Sequence, residues 1–109
     1  MKAEQARQIA LALPEATEAP HFHYTSFRIG SKIFATMPPG EEVLHVFVDE
    51  AQRAPLIDLQ PDAYQALHWG AKVVGIKVIL ARADAATVGQ LLRQSWLRKA
   101  PKRLAATLV

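Results

Sequence analysis

His21 and His23 stand one residue apart, so both rings share a face if that segment is extended. Two such imidazoles can begin a metal site, but a third ligand is needed. Glu18 is near in sequence yet precedes Pro20, and the chain has no cysteine. With no partner at ligand spacing, no metal and no other cofactor is expected. Ser26, Ser31 and Ser95 are the only serines, and none sits in Gly-x-Ser-x-Gly. The five glycines are scattered, so no phosphate-cradling loop is present. His45 and His68 read as structural residues bonded to backbone. Ser95 falls on an apolar helical stripe, where its hydroxyl is expected to bond back along its own helix. Trp69 and Trp96 read as core rather than as stacking platforms. No residue is left for catalysis, and the chain is read as non-enzymatic.

What remains is charge. The net charge is +3 over 109 residues, distributed unevenly. Residues 1–62 hold five Lys/Arg against nine Asp/Glu, whereas residues 63–109 hold eight against Asp84 alone. Arg93, Arg98, Lys99, Lys102 and Arg103 follow Asp84 with no acid among them. Together with Arg28 and Lys32 at a hairpin end they form the candidate nucleic-acid-binding set, acting on phosphates as charges. For a charge run alone, a solvated helix face is the commoner explanation.

The elements that would carry these residues follow from periodicity. Ala6, Ile9, Ala10 and Leu13 have helical spacing, giving a first helix over about Lys2–Leu13 that Pro14 stops. Pro14–Pro20 reads as an acidic connector. Phe22–Met37 reads as a hairpin around Gly30-Ser31, where Gly at the first turn position suits a type II′ turn. A two-residue loop sets Phe27 opposite Phe34 and Arg28 opposite Ile33, whereas a three-residue loop would set Ile29 opposite Ile33. A third strand is expected over Val43–Val48. Asp49 should cap a short helix over Glu50–Ile57, whose end Pro55 leaves unfixed, and Pro61 should open another helical turn through Leu67. His68-Trp69-Gly70-Ala71 reads as a turn before a strand over Val73–Leu80, in which Gly75 marks a bulge or a close backbone approach. After Asp84 a helix should run to Lys99, burying Val88, Leu91, Leu92, Ser95 and Trp96. Pro101 ends it, with a further helical turn over Lys102–Val109. No internal repeat stands out. Strands grouped with segregated helices mean one α+β domain over residues 1–109 with a mostly antiparallel sheet. No apolar core of a signal peptide follows Met1-Lys2, and no apolar run approaches about 18 residues. The expectation is a cytoplasmic monomer that does not enter a membrane.

Five segments in this order resemble the MmcQ/YjbR-like family across nearly the whole chain. They are Pro14-Glu15-Ala16-Thr17-Glu18, the Phe27–Ala35 hairpin (FRIGSKIFA), His68-Trp69-Gly70, the LLRQSW run at Leu91–Trp96, and APKRL at Ala100–Leu104. One departure is Val74, near which the family often has an aromatic residue. The resemblance implies a curved antiparallel sheet with helices on one face, a double-wing arrangement, and a protein of the predicted DNA-binding class. That class rests on likeness of fold, which does not fix function.

DNA binding is therefore one expectation. A protein-interaction module would instead show an exposed apolar patch near Trp69 or Pro38-Pro39. An enzyme or small-ligand binder, with a pocket between the sheet and the last helix, would show a deep cleft lined by His21, His23 or His68.

Overall fold

Six antiparallel strands form one sheet in the order β1-β2-β3-β4-β6-β5 in the computed structural model, which describes residues 1–108. The strands are β1 (Ala16–His21), β2 (Tyr24–Ile29), β3 (Lys32–Met37), β4 (Val43–Val46), β5 (Tyr64–Trp69) and β6 (Lys72–Ile79). The helices are α1 (Ala3–Leu11), α2 (Glu50–Leu59), α3 (Ala85–Lys99) and the short α4 (Lys102–Ala105). A 3-10 turn over Ala106–Leu108 completes the expected C-terminal helical segment, and Val109 lies outside the described residues.

Helix α3 begins where Asp84 accepts hydrogen bonds from the Thr87 N–H at 2.9 Å and the Thr87 hydroxyl at 3.0 Å. These bonds, the backbone N–H first, hold the Asp84 carboxyl below its ordinary range. The helix buries Val88, Leu91, Leu92, Ser95 and Trp96, the stripe its periodicity predicts. That stripe covers the faces of β3 and β4 that carry Phe34, Leu44 and Val46, with α1 alongside. Trp96 is fully buried, and its indole N–H donates to the Pro14 carbonyl at 3.1 Å. Arg7 of α1 pairs with Glu4, Glu18 and Glu41, tying the helix to β1 and to the β3–β4 loop. Its guanidinium is held protonated above its ordinary range, chiefly by the Glu41 carboxylate.

Two segments differ from expectation because pairing overrides local propensity. Ala16–His21 is not a connector but an edge strand, paired along its length with β2. An edge tolerates Pro20, which has no N–H to donate. Tyr64–Trp69 is not helical. It pairs with β6, from Tyr64 opposite Val78 to Trp69 opposite Lys72, and this draws His68 and Trp69 out of the expected turn into the strand. The turn itself is Gly70-Ala71, with Gly70 at φ +60. Helix α2 continues past Pro55 to Leu59. The proline's missing N–H leaves one bond unmade on a helix with no buried residue.

The Gly30-Ser31 loop has two residues, with Arg28 opposite Ile33 and Ile29 opposite Lys32. The expected Phe27–Phe34 pair is not formed. A bulge inserts Phe34, so Phe27 faces Ala35 instead. The β5–β6 hairpin carries the same irregularity at the matching place: Leu67 faces Gly75, His68 faces Val73, and Val74 is the extra residue. In sequence FRIGSKIFA (Phe27–Ala35) lies on LHWGAKVVG (Leu67–Gly75) at a constant offset, Gly30 on Gly70 and Lys32 on Lys72. The fold is thus two equivalent bulged hairpins flanking β4, a repeat too diverged to stand out in the sequence. Each bulge bends its strand and adds twist, giving the sheet curvature.

Candidate nucleic-acid interface

On the sheet face away from α3 lies an open groove of about 980 Å³. Its floor comes from alternate residues of the central strands, because side chains one apart leave a sheet on opposite faces. Leu44 and Val46 of β4 are buried among the core, so His45 and Phe47 line the groove. Thr36 of β3 lies beside His45, with Oγ1 and Nδ1 3.5 Å apart, and the Tyr24 ring is 6.0 Å from the imidazole. The partner of the His45 imidazole is thus the Thr36 side chain and not the expected backbone. Burial, and then the charge of Lys77 opposite it, push its pKa below the ordinary 6.5, so the floor carries a neutral imidazole at pH 7.

Four cations converge on this groove: Arg53 from α2, Lys72 from the second hairpin, and Arg98 and Lys99 from the end of α3. Arg53 donates to the Val48 carbonyl at 2.9 Å and Arg98 to the Phe47 carbonyl at 2.8 Å. Consecutive carbonyls just past β4 thereby anchor two of the guanidinium groups. Among the described residues none of the four forms an ion pair. Asp49 and Glu50 are the opposing carboxylates in the lining, and Asp49 is engaged with the Gln52 N–H at 3.2 Å.

The remaining candidates are dispersed. Lys32 is exposed at the first hairpin tip, next to Ser31 of the groove wall. Arg28 is half-buried, donating to Ser26 Oγ at 2.9 Å and the Pro20 carbonyl at 3.4 Å. Arg93 donates to the Leu108 carbonyl, Arg103 sits 3.7 Å from Glu15, and Lys102 is exposed. The structure therefore brings Arg98 and Lys99 into the groove and leaves the other five outside its lining. His21 and His68 line it while His23 faces a smaller depression beside β1, so the two histidines of the His21-x-His23 pair separate. Among the described residues no three His, Asp or Glu side chains cluster as metal ligands.

Sequence reasoning missed Arg53, Lys72 and the exposed aromatic rings. Trp69 is 67% exposed and packs edge-to-face on Phe47, with centroids 6.0 Å apart, contrary to the expected core position. The hairpin repeat holds the missing signal, since it sets Trp69 where the first hairpin has Ile29, which is only 4% exposed. It also sets Lys72 on the tip lysine Lys32.

Two bulged hairpins on a six-stranded antiparallel sheet, backed by helices, define a double-winged α+β domain. The chain belongs to the YjbR family, whose model matches residues 11–98. It is similar in fold to the crystal structure of the Deinococcus radiodurans protein DR2400, a DUF419 domain. The TM-score is 0.78 at 21% identity, covering 98% of this chain and 87% of that one. No curated protein matches the sequence. No helix among the described residues is long and apolar enough to cross a membrane.

Proposed function

We propose that this protein binds nucleic acid, DNA in the first instance, in the groove across its sheet, and that its role is binding rather than catalysis. The observation that carries this reading is the convergence of Arg53, Lys72, Arg98 and Lys99, none in an ion pair, on one concave surface. Two of the four, Arg53 and Arg98, are held by backbone carbonyls and so meet a phosphate at little further ordering cost. Lys32 and Lys102 extend the basic rim. Arg28, Arg93 and Arg103 lie outside the groove lining and are weaker outer contacts.

Binding of labelled DNA followed by anisotropy across a salt series tests the reading. Four phosphate contacts give log K against log salt a slope of about −3 to −4. Lys72→Glu with Lys99→Glu should abolish binding, whereas Arg82→Glu, outside the groove lining, should change it little. Absence of binding at low salt, where such contacts are strongest, overturns the reading.

A second reading is favoured by His21 and His68 in the lining: a small ligand that joins an anionic group to an aromatic ring. The volume, at the upper end of the range of about 300–1,000 Å³ for small-molecule sites, accommodates it.

A further inference from the structure

The groove carries three aromatic rings that the core does not need. Trp69 is mostly in solvent, although Ile29, its counterpart in the first hairpin, is buried. Folding alone therefore gives no reason for an indole there. Phe22 is 90% exposed at the tip of the two-residue turn between His21 and Tyr24. Its φ of +57 lies in the left-handed region, which bulky residues rarely adopt. The ring meets the neighbouring His21 edge-on, centroids 4.8 Å apart, but stays out of the core, and strain at a non-glycine residue placed so is a pointer to function. Tyr24, partly exposed, completes the set on the floor beside His45.

These rings share one groove with Arg53, Lys72, Arg98 and Lys99. Aromatic faces interleaved with unpaired cations suit a strand whose bases are unstacked, each base having a π-face to offer and each linkage a charge. A duplex keeps its base faces stacked within, so rings on a groove wall find nothing to stack on. We propose, resting on the nucleic-acid reading above, that the ligand is single-stranded and that Trp69, Tyr24 and Phe22 are its base-stacking positions. A free nucleotide shares this chemistry of base and phosphate. The strand is favoured because Phe22 and Trp69 stand on opposite edge hairpins of the sheet, so engaging both requires several linked bases.

The test uses the whole chain at low salt with short oligothymidylate, a duplex of equal length and thymidine monophosphate. Trp96 is buried, so in the parent protein quenching of the exposed Trp69 reports the groove, and anisotropy of labelled strand and duplex gives the affinity of every variant. Oligothymidylate should quench that emission and bind more tightly than the duplex. Trp69→Ala and Phe22→Ala should each weaken single-strand binding about 10-fold and shrink the preference over duplex. Both side chains are exposed, and a thermal melt verifies that the variants fold. If both variants bind the strand as tightly as the parent while Lys72→Glu with Lys99→Glu still abolishes binding, the stacking proposal is overturned and the electrostatic reading stands. If the monophosphate binds as tightly as the strand, the single-strand proposal is overturned in favour of a nucleotide. If neither oligothymidylate nor duplex binds, both fail.

Discussion

The Ser95 hydroxyl donates to the Phe34 carbonyl at 2.6 Å, joining the middle of α3 to the bulge in β3. Phe34 is the inserted residue of that bulge and has no partner residue in either neighbouring ladder. Buried carbonyls need donors, and Ser95 supplies one to Phe34 across the helix–sheet interface rather than bonding back along its own helix. Ser95→Ala would take that donor from the buried carbonyl. The expected cost is about 1–3 kcal/mol, read as a lower urea midpoint with unchanged slope.

In the second hairpin the inserted residue is Val74, and a different constraint acts on Gly75 beside it. A Cβ at this position would lie 2.2 Å from the Val46 carbonyl oxygen of β4, a backbone atom that cannot swing aside. Gly75→Ala should therefore destabilise by about 1–3 kcal/mol through forced separation of β4 and β6. At Gly70 a Cβ meets open space, so substitution there strains only the left-handed φ and should cost less. Equal losses for the two alanine variants would contradict the close approach.

Trp96 is the largest fully buried side chain, packed with Val88 and Leu92 of the same helix against the sheet. Trp96→Ala should cost about 3–5 kcal/mol, the hydrogen bond to Pro14 being lost along with the ring. Wild-type thermal stability in that variant would show that α3 does not anchor the core.

His45 gives the groove floor a pH response. Its folded pKa is depressed by burial and by Lys77, so the unfolded chain takes up the proton first on acidification. The contribution to stability is complete above 6.5 and is lost as pH falls from 6.5 through the lower folded value. His45→Gln should flatten the stability-against-pH curve in that window. An unchanged slope would place the titration elsewhere.

How far the sequence reveals these features depends on whether signals are local. The α3 stripe was legible because an uninterrupted 3.6 period meets a single covering surface. The edge strands β1 and β5 were not. ATEAPH carries a proline and little β-branching, and YQALHW follows a proline that suits a helix start, so only pairing with β2 and β6 makes them strands. Of the site, Arg98 and Lys99 were found from charge. Arg53 and Lys72 sit outside the basic run and meet the others only through the sheet. Trp69 was misplaced because an apolar ring beside a turn is ordinarily core, and only its comparison with Ile29 shows the exception.

Backbone and indole chemical shifts of labelled protein titrated with a short oligothymidylate at low salt test the groove most directly. Binding across the sheet predicts changes at Thr36, His45, Phe47 and Lys72 and at the Trp69 indole, with the buried Trp96 indole little altered. Changes confined to Arg93, Lys102 and Arg103, or no changes at all, would contradict it.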